Sequence, residues 1–160
     1  MFYRRLPRFD LPGRTYFITS CTQGRRRFLA RADLTELVIN LYANIRDRGD
    51  IALHGYVVMP DHYHVVFTLK EADSVSMAVR KVHGPFARHY RGVVGPLHRI
   101  WQRRFRDHVV RDDDDWHTKM EYIHTNPVRA GLVGDATEYE WSSCRFWLTG
   151  DGPVRCDPAW

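Results

Sequence analysis

Two hydrophobic periods, one of two residues and one near 3.6, divide this chain into elements. TYFITSC (15–21) is β-branched and aromatic and follows the turn pair Pro12-Gly13, so it predicts a strand. Basic Gly24–Arg27 connects it to a segment in which Leu34, Leu37, Val38, Leu41 and Ile45 recur at helical spacing. That helix runs from Ala32 to Arg48, with Asp33 as a cap and Gly49 as its stop. Ile51–Met59 and His62–Leu69 read as strands joined through Pro60-Asp61. Residues 74–91 read as a helix around Val75, Val79, Val82 and Phe86, kinked or interrupted at Gly84-Pro85. Ile100–Val110 reads as extended, and Asp114–Thr125 as a short helix stopped by Asn126-Pro127. Tyr139, Trp141, Phe146 and Trp147 then cover the core. The order predicts an α+β fold of the ferredoxin-like or RRM-like βαββαβ kind, with an antiparallel sheet, two helices on one face and an extra C-terminal helix.

The length of 160 residues suits one domain, spanning 1–160, with no repeat or linker. No run of about 18 apolar residues predicts a membrane span. MFYRRLPRFD has no signal-peptide-like apolar stretch, and Cys21, Cys144 and Cys156 are few, distant and outside any CxxC spacing. A reducing cytoplasm is the expected location.

Charge changes the picture more than composition does. The formal net charge is +5, yet residues 1–31 carry +7 and residues 80–111 carry +8, while 32–79 and 112–160 carry −4 and −6. Arginine outnumbers lysine 21 to 3, which suits bidentate phosphate contacts and stacking on bases. Two basic segments in an otherwise acidic chain point to a polyanion, with nucleic acid as the leading class. Candidate contacts are Arg4, Arg5, Arg25, Arg26, Arg27, Arg80, Lys81, Arg103 and Arg104. In IWQRRFRDH (100–108) aromatics interleave with arginines, a pattern that fits core aromatics with solvated arginines as well as base stacking.

Two constellations could carry chemistry. Strand alternation places His62, His64, Val66 and Thr68 on one face and Tyr63, Val65, Phe67 and Leu69 on the other. The apolar face belongs against the helices, so the two imidazoles look out side by side and can share a divalent ion. Two ordinary half-buried histidines would give the same spacing. On the last helix, Trp116, Met120 and Ile123 form a buried stripe, and Tyr122 and Asn126 stand one turn apart on a flank shared with Lys119 and Asp115. A free tyrosine is about a thousandth ionised at neutral pH, so as a nucleophile it needs a polarised phosphodiester. Lys119 could favour the phenolate or hold a phosphate, and Asn126 could complete a metal shell. The run Asp112–Asp115 reads first as a helix start, with one member capping and the rest favouring the dipole.

VVMPDHYHVVF (57–67) resembles the histidine–hydrophobic–histidine motif of the Y1 (HUH) transposases, and YIHTNPVRAGLV (122–133) resembles their tyrosine-bearing segment. RLPR near residue 5, YFITSCT (16–22) and WQRRFRDHVVRDDDD (101–115) are similar to the REP-associated tyrosine transposases in particular. The resemblance implies a metal-dependent enzyme that nicks and rejoins single-stranded or hairpin DNA through a 5′-phosphotyrosine link. It implies His62 and His64 as ligands of Mg²⁺ or Mn²⁺, Asn126 as the third ligand and Tyr122 as the nucleophile. Two other readings compete: a non-enzymatic RRM-like single-strand binder, and a zinc hydrolase using bound water. Both a monomer and a homodimer with the tyrosine acting in trans fit the sequence.

Overall fold

The computed structural model describes residues 10–70, 74–96 and 98–159, so Arg4 and Arg5 lie outside the described residues. Four strands, β1 (Thr15–Cys21), β2 (Ile51–Met59), β3 (His62–Leu69) and β4 (Arg106–Val109), form one sheet. The strand order is β2-β3-β1-β4, and every neighbouring pair is antiparallel. With helices α1 (Ala32–Asp47) and α2 (Val75–Val93) between strands, this is the expected α+β sandwich.

The alternation of β3 decides what each face does. Tyr63, Val65, Phe67 and Leu69 join Val38 and Tyr42 of α1 and Val79, Val82 and Phe86 of α2 in the main core. On the opposite face a smaller cluster gathers Val57, Met59 and Val66 with Val110 and with Trp116, Met120 and Ile123 of α3 (Asp113–Arg129). The predicted stripe of α3 is thus buried on the second sheet face, which is partly covered and not open along its length.

Three boundaries differ from the sequence expectation. Helix α2 runs without interruption through Gly84-Pro85. Pro85 removes one backbone donor, but Val82 and Phe86, both 0% exposed, hold the helix on the core from either side of it. Helix α3 likewise passes Asn126-Pro127 and ends at Arg129. Pro127 is buried there, and the end is closed by Gly131 at φ 70°, whose N–H donates to Val128 O (2.9 Å) while Leu132 N–H donates to Pro127 O (2.9 Å). The extended segment predicted over 100–110 shrinks to the four residues of β4, preceded by an isolated Thr22–Trp101 bridge. Asp33 does not cap α1 with its side chain. It sits in the first turn and pairs with Arg31 (2.7 Å).

The C-terminal segment closes the β2 edge. Val58 N–H donates to Trp141 O (2.9 Å), Tyr139 OH donates to Val58 O (2.7 Å), and Asp157 N–H donates to Leu53 O. A short helix, α4 (Cys144–Thr149), lets Trp147 Nε1–H donate to His54 O (2.8 Å). Covering an edge strand in this way blocks sheet extension. Among the described residues, no helix is long and apolar enough to cross a membrane.

Candidate active site

β3 presents His62 and His64 on the α3 side of the sheet, between Cys21 and Thr19 of β1 and Met59 and Val57 of β2. Their rings lie side by side, as the alternation predicted, but turned against each other. The centroids are 4.9 Å apart and the planes cross at 81°. Each ring is anchored through Nδ1. His62 Nδ1 is 2.6 Å from Asp61 Oδ1, and because a carboxylate only accepts, Nδ1 carries the proton and Nε2 keeps its lone pair. His64 Nδ1 bonds Thr19 Oγ1 (2.8 Å), and His64 Nε2 is buried with no hydrogen-bond partner among the described residues. Burial pushes His64 down to about 3, helped by the nearby His62 and by the positive charge of Arg25. Burial also lowers His62, though Asp61 works against the shift. Both rings are therefore neutral at pH 7, the state in which imidazole binds a metal.

Tyr122 reaches this pair because α3 lies close on the sheet. Gly55, at a register shift in β2, makes that approach possible, since a Cβ there would stand 2.7 Å from Met120 Cε and 2.9 Å from Ile123 Cδ1. Asp112 caps the helix by accepting from Asp115 N–H (2.9 Å), as the acidic run predicted. Asp115 itself binds His108 Nε2 (2.7 Å) and lies 4.0 Å from Lys119 Nζ. The Tyr122 ring meets His64 edge to face at 5.2 Å, and Phe17 fills the angle between them, stacked on His64 at 5.2 Å and edge-on to Tyr122 at 5.9 Å. Lys119 Nζ sits 5.4 Å from the centre of the Phe17 ring, and Arg129 Cζ 5.8 Å from that of Tyr122. Tyr122 is 37% exposed, so its ring is held while its edge faces solvent.

A cavity of about 350 Å³ collects Thr19, Cys21, Arg25, His62, His64, Gln102, Arg106 and Tyr122. A second, of about 290 Å³, also borders Tyr122 and contains Phe17, Asp107, His108 and Lys119. Thr19, Arg106 and Tyr122 line both. Gln102 continues the first cavity into one walled by Arg80, Arg103, Arg104 and Phe105, and Arg103 leads on to another with Arg26, His98 and Arg99. The two basic segments of the sequence thus converge next to the histidines and the tyrosine. Arg27 is exposed on the connection after β1. Lys81 is not part of this cluster, because its ammonium pairs with Asp50 (2.8 Å) at the turn between α1 and β2.

Two neutral imidazoles, one with a buried nitrogen that has no partner, fit a divalent ion. Among the described residues, no three His, Cys, Asp or Glu side chains gather to hold one by themselves. The remaining positions therefore fall to carboxamide oxygens, phosphate or water. Asn126 is half-buried one turn beyond Tyr122 and does not line the histidine cavity, whereas Gln102 does. Sequence reasoning missed Gln102, Arg106 and Asp61. The first two sit in a stretch whose aromatic and arginine pattern hid individual roles, and Asp61 was legible only as a turn residue.

A two-histidine seat facing a helix-borne tyrosine, framed by arginines on an RRM-like sheet, defines a nucleic-acid-processing class of site. Residues 13–126 match the model of the IS200-like transposase family, so the chain belongs to the Y1 (HUH) transposases, on the REP-associated tyrosine branch. The REP-associated tyrosine transposase of Escherichia coli K12 is 31% identical over 137 residues, covering 85% of this chain and 79% of that protein. In fold, the chain is similar to the solved structure of a REP-associated tyrosine transposase bound to a REP hairpin. The TM-score is 0.76 at 24% identity, covering 98% of this chain and 93% of the other.

Proposed function

We propose that this protein is a nicking and strand-joining enzyme for single-stranded, hairpin-forming DNA, with Tyr122 as nucleophile. The observation that carries the reading is the edge-to-face contact of Tyr122 with His64, whose Nε2 is buried and has no hydrogen-bond partner among the described residues. Its membership of the IS200-like transposase family and its similarity to the REP-associated tyrosine transposase of Escherichia coli support the substrate class. A REP-associated tyrosine transposase binds a REP hairpin in its solved structure, and the arginine-lined cavities here suit a strand of the same kind.

His62 and His64 would hold Mg²⁺ or Mn²⁺, with a carboxamide from Asn126 or Gln102 and substrate phosphate filling other positions. When bound, the ion polarises a non-bridging phosphate oxygen and orients the phosphodiester. Arg25 and Arg106 hold the phosphate from the cavity wall, and Lys119 favours the ionised phenol. The Tyr122 oxygen attacks phosphorus in line, a Tyr122 O–P bond forms, and the P–O3′ bond breaks. The phenolic proton passes to solvent, the released 3′ oxygen takes up a proton from solvent, and the 5′ phosphate stays on the protein. Attack by a 3′-OH reverses the step and joins strands. Arg26, Arg27, Arg80, Arg103 and Arg104 grip the flanking nucleotides.

The test is incubation with Mn²⁺ and end-labelled hairpin DNA that has single-stranded flanks. Label on the 3′ side of the cut should travel with the denatured protein, and chelator should abolish transfer. Cleavage with free 5′ phosphates and no protein-bound label would indicate a water-using hydrolase. Binding without any cleavage would indicate a binding module.

A further inference from the structure

We propose that Asp61 is a positioning residue that ties the metal seat to the phosphate seat, an inference that rests on the function proposed above. One oxygen of its carboxylate takes the proton-bearing Nδ1 of His62 (2.6 Å), and the other takes Nε of Arg25 (3.0 Å). His62 and Arg25 are on different elements, yet both line the cavity that faces Tyr122. The chain goes to some length to make this meeting. Gly24 and Arg25 are consecutive left-handed residues, at φ 64° and 55°, and Arg25 is the one non-glycine residue with positive φ among those described. A side-chain-bearing residue in that region is strained and persists only where its surroundings hold it.

The backbone clamps the two turns together independently of the carboxylate. Thr22, fully buried, donates its N–H to Asp61 O (3.0 Å). Substituting the Asp61 side chain therefore leaves this clamp in place. With Nε bound to Asp61 and Nη1 donating to Cys21 Sγ (2.9 Å), the guanidinium keeps N–H groups for a phosphate. A metal on His62 Nε2 draws electron density from the ring, so Nδ1–H binds Asp61 more tightly. That competes with the grip of Asp61 on Arg25 and leaves more of the arginine's charge for a phosphodiester. Metal and strand then bind with positive coupling that runs partly through Asp61, and linkage makes the coupling reciprocal.

The experiment measures Mn²⁺ binding by electron paramagnetic resonance, and binding of a fluorescein-labelled DNA hairpin with single-stranded flanks by anisotropy. Hairpin binding is read with and without saturating Mn²⁺, in a Tyr122→Phe background that blocks turnover, and thermal melts report folding. Asp61→Ala should weaken Mn²⁺ about 10-fold or more, in the range for loss of a carboxylate behind a metal-bound histidine. Asp61→Asn should weaken it less, since its amide oxygen still accepts from His62. In both variants the factor by which Mn²⁺ tightens hairpin binding should fall toward that of Arg25→Ala. A folded Asp61→Ala protein with wild-type Mn²⁺ affinity, or an unchanged tightening factor, would overturn the role of Asp61 while leaving the metal seat standing. Wild-type protein that takes up no Mn²⁺ would remove both.

Discussion

The rings of His64 and Tyr122 meet edge to face with centroids 5.2 Å apart, joining a strand residue and a helix residue separated by 58 positions in sequence. Phe17 is the third side of this triangle, packing on both rings. Phe17→Ala should destabilise the protein by about 2 kcal/mol, below the range for a fully buried phenylalanine because this ring is only partly covered. It should also slow DNA cleavage more than it weakens DNA binding, since the strand grip lies elsewhere. Denaturant titration together with single-turnover cleavage checks both effects, and Phe17→Leu should recover most of each.

Gly55 sets the height of α3 above the sheet. Gly55→Ala should cost about 1 kcal/mol, because the tips of Met120 and Ile123 can swing aside from the new Cβ. Gly55→Val adds two methyl groups in the same space and should cost about 3 kcal/mol. The larger change lifts Tyr122 from His64, so single-turnover cleavage should drop at least 10-fold while hairpin affinity holds.

Nearly all of this fold was legible in the sequence, and the reason is local. The strands Thr15–Cys21, Ile51–Met59 and His62–Leu69 are apolar, β-branched or alternating runs bounded by turn residues, so their limits coincide with the observed ones. Both helix boundaries that differ involve proline, whose local preference is overridden by burial of Phe86 in one helix and of Pro127 in the other. In the site, strand alternation paired His62 with His64 and helical spacing paired Tyr122 with Asn126, while only the family resemblance gave these residues roles, and Asn126 does not line the histidine cavity. What stayed hidden depends on tertiary contact. Asp61 acquires its partners only when Arg25 folds back over the β2–β3 turn, and Gln102 reaches the cavity from a segment with no period of its own.

His83 gives the fold an acid-sensitive point remote from the tyrosine. It stacks on Trp101 at 4.3 Å, its Nε2 shares hydrogen bonds with Tyr63 OH (2.9 Å) and Ser20 Oγ (3.1 Å), and burial pushes it down to about 3 from an ordinary 6.5. Between those values the unfolded chain binds a proton that the native protein does not. The stability this histidine allows is thus fully present above pH 6.5 and falls as pH drops toward 3, by about 1.4 kcal/mol per pH unit at most. Urea midpoints should fall from pH 7.5 to 4.5, with buried His64 and His124 adding to the slope, and His83→Gln should reduce it by the share of one proton.

Strand binding should weaken steeply with salt through counterion release. Arg103→Ala and Arg104→Ala should each lower the slope of log affinity against log salt by about 1. Lys81→Ala should leave that slope unchanged, because Lys81 pairs with Asp50 away from the arginine-lined cavities. Anisotropy titrations of a labelled hairpin between low and physiological salt separate the two outcomes.

In the proposed reaction Tyr122 makes the covalent bond to DNA. With Mn²⁺ and hairpin DNA, the wild-type protein should yield a denaturant-stable adduct whose tryptic mass spectrum places a 5′-phosphonucleotide on Tyr122, and Tyr122→Phe should bind the hairpin equally well and yield none. An adduct of undiminished yield in Tyr122→Phe, or one mapped to another residue, would rule Tyr122 out as the nucleophile.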